Sequence, residues 1–177
     1  RLSIGAMCTH AQVASSEQVS SAIPALAGLA AGIGDPMVRH QGTLGGSLAN
    51  NDPAADWPAA LLALDGVVVT DRRRIEAGDF FLGLFATALQ PGELIVSVEF
   101  GVPRRCTYAK FKHPASRFAI VGVMVAEIAG RSRVAVTGAA ACAFRATALE
   151  HALDVAFHPD SLDGVAIDAS DFNNDLQ

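Results

Sequence analysis

The sequence predicts an α+β fold, and three features of the residue pattern support this class. Apolar residues recur at helical spacing in residues 17–34 and again in residues 54–65. Residues 66–70 and 91–100 have the β-branched or alternating apolar composition of strands. After Pro103 three more strand-like segments follow one another through turns. Consecutive strands of this kind favour antiparallel sheet in at least the second half of the chain.

The N-terminal part is expected to be mainly helical. Residues 2–6 predict a short strand, after which Thr9 can cap a helix. The helical segment at residues 17–34 is interrupted by Pro24 and stopped by a Gly-Asp-Pro run. Residues 37–40 then predict a brief extended piece.

A further helix and a hairpin are expected next. Asp52 followed by Pro53 is typical of a helix N-cap and first helical residue, and the helix should end at Asp65. Trp57 is expected to pack within this helix. Residues 66–70 predict a strand, which residues 72–78 continue as a hairpin or meander.

The last elements of the first half are a short helix and a strand. Residues 79–85 predict the helix, with Phe80, Phe81 and Phe85 as core anchors. In residues 91–100 the apolar side chains alternate with their neighbours, which is the period of a half-buried strand. The apolar positions of this strand are Leu94, Val96, Val98 and Phe100.

We place a subdomain boundary at Pro103, so that residues 1–103 and 104–177 form two units. The second unit is expected to hold a three-stranded antiparallel sheet and a helix from about Arg145 to Asp154. Its strands are predicted at residues 106–112, 119–129 and 132–141. The polar residues 157–177 are expected to be peripheral.

Composition disfavours several classes of function. A net charge of −5, with Arg72-Arg73-Arg74 as the one basic cluster, does not indicate the extended basic surface that binds nucleic acid. No apolar run approaches the roughly 20 residues that span a bilayer, and a cytoplasmic protein without a membrane span is predicted. The three cysteines and five histidines lack metal-binding spacing, and no catalytic triad is recognisable. A mean hydropathy of +0.33 indicates apolar surface and therefore a subunit of a larger assembly.

The glycine-rich stretch at residues 40–58 is the candidate binding motif. Gly45, Gly46 and Ser47 could present successive backbone N–H groups to one anion, and the Thr43 hydroxyl could add a donor. The G-x-x-G-G order matches neither a dinucleotide-binding Rossmann turn nor a P-loop. A tight turn whose small residues only allow close packing is the alternative, and the motif alone leaves both open.

The longer stretch "VRHQGTLGGSLANNDPAADWPAALLALDGVVV" resembles the flavin-binding medium subunit of the molybdenum hydroxylases, which include carbon monoxide dehydrogenase and xanthine dehydrogenase. The resemblance extends through "IGAMCTH", "DFFLGLF", "PGELIVSVEF" and "YAKFKHPASRFAIVGV", nearly the whole chain. It implies a PCMH-type FAD-binding α/β subdomain followed by the C-terminal subdomain of such flavoproteins. FAD would lie between two α/β subdomains and touch the third.

The resemblance also implies the cofactor-binding residues. The turn matching Thr43, Leu44, Gly45, Gly46 and Ser47 would hold the FAD pyrophosphate, and Ala49, Asn50 and Asp52 would lie along the cofactor. Asp56 would contact the ribityl and flavin side, Ile95 would pack near the rings, and Tyr108 and Lys112 would approach the isoalloxazine. A Lys112 ammonium near the flavin N1 and O2 would stabilise the reduced anion. Without the resemblance, Asp52 and Asp56 are interpreted as the N-cap and a first-turn acid of a helix. Tyr108 and Lys110 are then interpreted as residues on the exposed face of an edge strand.

The chain departs from the family pattern in two ways. His40 stands where the family commonly has asparagine, and Asn50-Asn51 replace a usual His-Ala pair. Family members also carry an earlier glycine-rich turn that supplies the other half of the pyrophosphate cradle. This sequence is expected to start after that turn, and FAD affinity is expected to fall steeply without it.

The function implied is that of an FAD-binding electron-transfer subunit with no catalytic amino acid of its own. It would pass electrons from iron–sulfur clusters through FAD to an acceptor. The implied partners are a molybdopterin-binding large subunit and an iron–sulfur small subunit, in a dimer of heterotrimers. Two alternatives stay open: a flavin-free assembly subunit of such a complex, and another nucleotide-binding enzyme that uses the GTLGGS turn.

Overall fold

The structure, a computed structural model, describes residues 1–170, 172 and 173. These residues contain two four-stranded antiparallel sheets, a two-stranded sheet, eight α-helices and a 3-10 helix at Pro159–Leu162. The predicted α+β class is confirmed. Elements of the first half are β1 (Leu2–Gly5), α1 (His10–Ser15), α2 (Glu17–Ala22), α3 (Pro24–Ala31), α4 (Pro36–Gln41), α5 (Leu44–Asn50), α6 (Trp57–Ala63), β2 (Val67–Thr70), β3 (Arg74–Glu76), α7 (Ala77–Phe80), β4 (Phe81–Gly83), β5 (Ala86–Thr87) and β6 (Ile95–Phe100). The second half contains β7 (Arg105–Lys112), β8 (Ala119–Ile128), β9 (Arg131–Thr137), β10 (Phe144–Arg145) and α8 (Thr147–Val155).

The first sheet has the order β1-β6-β2-β3, with every neighbouring pair antiparallel. Its central pairing sets Val68 opposite Val98, and both side chains are buried. The apolar alternation predicted for β6 holds only at its end, because Leu94 and Val96 are exposed whereas Val98 and Phe100 are buried. The first sheet therefore buries one half of this strand and leaves the other half open.

The second sheet is the meander β7-β8-β9-β10. The three predicted strands are present, and the two-residue β10 adds a fourth. Because Arg145 lies on β10, the last helix begins at Thr147 and not at Arg145. Of the predicted peripheral segment, residues 171 and 174–177 lie outside the described residues. The predicted division of the chain at residues 103 and 104 stays a prediction.

Helix α6 joins the two sheets. All seven of its residues are buried, since it contacts β8 and β9 while the Trp57 ring packs 6.4 Å from the ring of Phe100 on β6. The loop before α6 is bonded to the second sheet, because the Thr137 hydroxyl shares its one proton between the carbonyls of Pro53 and Ala55, at 2.9 and 2.7 Å. These bonds fix the segment that leads into Asp56.

Several predictions from local sequence patterns are confirmed. Thr9 and Gln12 form a reciprocal capping box at the start of α1, and Pro24 separates α2 from α3. The β2–β3 hairpin is present, and Trp57 is fully buried in α6 as expected. Each of these outcomes depends on residues that are close in sequence.

Three secondary-structure predictions were wrong. Residues 37–40 belong to α4, because the Asp35 carboxylate accepts the Val38 amide at 2.9 Å and Pro36 occupies the first turn. The helix expected from Asp52 begins at Trp57, since Asp52 instead accepts the amide of Ala54 in a local turn.

The third is the helix expected at residues 79–85. Its place is taken by α7, which ends at Phe80, and by the β4–β5 hairpin. Phe80 is fully buried and Phe81 packs against the core, but Phe85 is exposed at a φ of 50°.

Candidate functional site

The glycine-rich motif forms helix α5 and not the predicted turn. The Thr43 hydroxyl caps this helix by accepting the Gly46 amide at 3.1 Å. The helix ends at Asn51, whose backbone is left-handed with a φ of 45°. The Asn51 side-chain amide donates to the carbonyls of Gly83 and Ala86, both at 2.8 Å, and so ties α5 to the β4–β5 hairpin.

The amides of this motif are not free for an anion. Leu44 N donates to Cys8 O at 3.0 Å and Gly45 N donates to Ala6 O at 2.8 Å. Gly46 N donates to the Thr43 hydroxyl, and Ser47 N donates to Thr43 O at 3.0 Å. The expectation that successive amides between Gly45 and Ser47 are available as donors is therefore wrong. The assignment of these residues to a cofactor stays a prediction.

Gly45 is required for close packing between α5 and the loop after β1. A Cβ at this position would lie 2.6 Å from Ala6 Cβ and 3.0 Å from Ala6 O. We expect Gly45→Ala to lower the free energy of unfolding by about 1–3 kcal/mol, because the two backbones would have to separate. Urea denaturation followed by circular dichroism measures this change.

Gly28→Ala is the matched control for that substitution. A Cβ at Gly28 meets no atom within 4 Å, and the residue lies exposed in the middle of α3. The same substitution should therefore raise stability by up to about 1 kcal/mol through helix propensity. Equal effects of the two substitutions would show that the contact with Ala6 is unimportant.

A cavity of about 220 Å³ lies beside α5. Its walls come from α1, α4, the residues around α5 and α6, and the loop after β7. The lining residues are His10, Ile33, Gly34, Val38, Ser47, Asn50, Asp52, Ala55, Asp56, Ser116, Arg117 and Phe118. Residues far apart in the chain thus converge on one hollow, whose mainly apolar lining carries a few polar side chains.

Asp56 is the buried carboxylate of this cavity. Its relative exposure is 4%, and both of its oxygens accept hydrogen bonds from β7. The Tyr108 hydroxyl donates to Oδ1 at 2.5 Å and the Lys110 Nζ donates to Oδ2 at 2.9 Å. Burial raises the pKa of Asp56, whereas the hydrogen bonds from Lys110 and Tyr108 and the Lys110 charge oppose that rise. Burial and the nearby Asp56 carboxylate also raise the pKa of Tyr108, which favours its protonated, donating form.

His10 forms another wall and was not anticipated from the sequence. Its Nδ1 accepts the indole N–H of Trp57 at 3.0 Å, and its ring is almost fully buried. Burial lowers the pKa of His10, which favours the neutral, accepting imidazole. A lone histidine at the start of a helix gives no signal in the sequence for such a role.

The predicted site residues divide into three groups. Those lining the cavity are Ser47, Asn50, Asp52 and Asp56, with Tyr108 in contact through Asp56. Those outside it are Thr43, Leu44, Gly45 and Gly46 at the start of α5, the exposed Ala49, and Ile95, which packs against the core. Lys112 is exposed at the end of β7, and the lysine that reaches the cavity carboxylate is Lys110.

The alternative that Lys110 lies on the exposed face of an edge strand is right about the edge position of β7 but wrong about exposure, because the Lys110 side chain is only 10% exposed. The period of β7 places Tyr108 and Lys110 on one face, which was the available signal. That this face meets Asp56 could not be read from the strand itself.

Neither a membrane-spanning helix nor a metal-binding cluster is found in the part of the chain that the structure describes. No helix there is both long and apolar enough to cross a bilayer. No cluster of three or more His, Cys, Asp or Glu side chains suited to a metal ion was found among the same residues.

Comparison with known proteins gives a consistent result. Residues 1–104 match the model of the FAD binding domain in molybdopterin dehydrogenase. The nicotine 6-hydroxylase medium subunit of Paenarthrobacter nicotinovorans is 38% identical over 73% of this chain and 48% of its own length. The carbon monoxide dehydrogenase medium chain of Hydrogenophaga pseudoflava is 33% identical over 80% of this chain and 54% of its own length. The chain thus spans about half the length of these relatives.

Solved structures show the same likeness. A structure of carbon monoxide dehydrogenase from Hydrogenophaga pseudoflava, which lacks the Mo-pyranopterin moiety of the molybdenum cofactor, superimposes with a TM-score of 0.84. That match has 34% identity and covers 94% of this chain and 62% of the other. Quinoline 2-oxidoreductase from Pseudomonas putida 86 gives a TM-score of 0.77 at 25% identity, covering 94% of this chain and 65% of the other.

Proposed function

Because the chain belongs to the family of FAD-binding domains of molybdopterin dehydrogenases, we propose that it is part of the electron-transfer flavoprotein subunit of a molybdenum hydroxylase. The observation that carries the proposal is the buried Asp56 carboxylate in the cavity wall, beside Ser47, Asn50 and Asp52. These groups are hydrogen-bonding oxygens and an amide, which suit the hydroxyl-rich ribityl chain of a flavin. The redox chemistry would be supplied by the flavin when bound, and the protein would orient it.

The residues of the site fit the polyol portion of FAD better than its diphosphate. Carboxylate, hydroxyl and amide groups in the cavity fit a polyol chain, whereas the amides of residues 44–47 already have partners inside the chain. We therefore assign the polyol portion to Asp52, Asp56, Ser47 and Asn50, and we assign no diphosphate contact to the α5 amides. The cavity of about 220 Å³ is also smaller than the 300–1,000 Å³ typical of ligand sites, which suits one portion of a large cofactor.

We also propose that the chain works beside a molybdopterin-binding large subunit and an iron–sulfur small subunit, in a dimer of heterotrimers. The names of the relatives as medium subunit or medium chain support a multi-subunit enzyme. Exposed apolar side chains support a partner-facing surface, because such groups are usually covered in assemblies. They include Met7, Leu82, Leu84, Phe85 and Leu94. A cytoplasmic location is part of the same proposal.

A second candidate is a flavin-free assembly subunit of the same kind of complex. The specific observation in its favour is that all four amides from Leu44 to Ser47 donate within the chain. Such a subunit would keep the fold and its contacts but would not need the cofactor.

Ligand-induced stabilisation separates the two candidates. With free FAD at about 100 times its Kd, the free energy of unfolding should rise by about 2.7 kcal/mol, because FAD binds only the folded state. The measurement is a thermal-shift titration with FAD. Parallel titrations with ATP, NAD and coenzyme A test whether another nucleotide stabilises the chain instead. Stabilisation by ATP but not FAD would contradict an FAD site, and no response to any nucleotide would favour the flavin-free subunit.

A further inference from the structure

Asp56 lines one hollow, and its two hydrogen-bond donors line another. The cavity beside α5 includes Asp56 but neither Tyr108 nor Lys110. A groove of about 500 Å³ between α3 and β7 includes Tyr108, Lys110 and Gly32 but not Asp56. The carboxylate therefore forms part of the cavity wall, while its two donors stand on the groove side.

The two side-chain hydrogen bonds do not use all of the acceptor capacity of the Asp56 carboxylate. One donor occupies each oxygen, Tyr108 at Oδ1 and Lys110 at Oδ2. An ionised carboxylate has about four lone-pair sites, so about two stay open for hydrogen bonds. A protonated Asp56 carboxyl would accept fewer hydrogen bonds. Its O–H would also compete with the hydrogen bond that Tyr108 or Lys110 donates to the same group.

Lys110 is held where its charge acts on Asp56 in partial isolation from water. Its side chain is 10% exposed and that of Asp56 is 4% exposed, and the Lys110 Nζ also approaches Gly32 O at 3.4 Å. Burial of Asp56 raises its pKa and disfavours the ionised form. The hydrogen bond from Lys110 is the largest opposing influence, followed by the hydrogen bond from Tyr108 and then by the charge of Lys110.

The other charged or titratable groups around the cavity are few. They are His10 on α1, Asp52 on the loop before α6 and Arg117 on the loop after β7. His10 already accepts the Trp57 indole, and the Asp52 carboxylate accepts the Ala54 amide. Lys110 is thus the cation paired with Asp56, and the exposed Arg117 is the Lys or Arg residue among those that line the cavity.

We propose that Lys110 and Tyr108 are positioning residues, which hold the Asp56 carboxylate ionised and fixed so that it can accept hydrogen bonds from a hydroxyl-bearing ligand in the cavity. The inference rests on the proposed flavin-binding function. Neither residue lines the cavity, so both act on the ligand portion in the cavity through Asp56. Ligand affinity should therefore follow the ionisation of Asp56, which Lys110 controls.

The test is the pH dependence of FAD affinity, measured as the Kd from flavin fluorescence between pH 4.5 and 9. In the unaltered chain the affinity should weaken on the acid side as Asp56 is protonated. In Lys110→Met this acid limb should move to higher pH by about one unit or more, because the opposing cation is gone. A one-unit displacement corresponds to about a tenfold weaker affinity on that limb, with the two curves converging at high pH.

Three further variants distinguish positioning from folding. Lys110→Arg should restore the position of the acid limb, and Tyr108→Phe should move it in the same direction as Lys110→Met but by less. Arg131→Met removes an exposed charge on β9 and should leave the curve in place. Circular dichroism of each variant confirms that it is folded before its Kd is compared.

The outcomes separate this inference from the proposed function. If Lys110→Met and Tyr108→Phe weaken FAD affinity equally at every pH, the two residues serve only structure and the inference is overturned. Failure of the unaltered chain to bind FAD at any pH would instead overturn the proposed function. If Lys110→Met does not fold, the displaced acid limb in Tyr108→Phe decides the question.

Discussion

Replacing Trp57 by alanine is expected to lower the free energy of unfolding by about 3–5 kcal/mol. The side chain is fully buried where α6 meets both sheets. Its ring packs against those of His10 and Phe100 at centroid distances of 6.0 and 6.4 Å. Alanine would leave a cavity at this junction and would also remove the donor to His10 Nδ1. Urea denaturation followed by far-UV circular dichroism measures the loss.

Trp57→Phe is the control that separates volume from hydrogen bonding. Phenylalanine keeps most of the buried ring but leaves the His10 Nδ1 acceptor without the indole N–H. We expect a loss of about 1–3 kcal/mol, the cost of one buried group left unpaired together with a smaller void. A Trp57→Ala loss below that of Trp57→Phe would show that packing at this junction does not hold the two sheets together.

The second large effect is expected at Asp56. Asp56→Ala should lower the free energy of unfolding by about 3–5 kcal/mol, because it leaves the largely buried Lys110 without its counter-charge. The same change removes the acceptor for the Tyr108 hydroxyl. FAD affinity should fall as well, since the cavity loses its buried carboxylate. Denaturation gives the first quantity and an FAD titration gives the second.

A double variant identifies the cause of this loss. Asp56→Ala combined with Lys110→Met removes both charges, so it should be less destabilised than the sum of the two single variants. Glu99→Ala is the comparison at a surface pair, because the Arg74–Glu99 bridge is largely solvated and its loss should be much smaller. Additive losses at Asp56 and Lys110 would mean that the two groups do not interact in solution.

The engaged amides of α5 change how the glycine-rich motif is understood. The sequence suggested two uses for its small residues, an anion cradle or close packing. The structure gives Gly45 a packing role, because its amide bonds to Ala6 O and its missing side chain admits Ala6. The residues of the motif that line the cavity lie later in the helix, at Ser47 and Asn50. The helix thus contributes side chains to the cavity, while its first turn anchors it to the loop after β1.

The elements that the sequence predicted correctly are determined by residues close to one another in the chain. Thr9 caps α1 through Gln12, three residues away, and Pro24 separates two helices at its own position. The β2–β3 hairpin follows from a β-branched run and a short turn. The prediction failed where the same residue could form two local structures. Asp52 was predicted to cap a helix but forms a turn with Ala54, so α6 begins five residues later at Trp57.

By itself the sequence determined the α+β class, most of the strands, the burial of Trp57 and the family resemblance, because periodicity, capping and residue order are properties of neighbouring positions. Only the tertiary structure decided that Lys110 and not Lys112 pairs with Asp56, 54 residues away. It also decided that carbonyls of Ala6 and Cys8 occupy the α5 amides. Such pairings depend on how two sheets and the helix between them dock, and docking is set by the burial of many side chains at once rather than by any one segment.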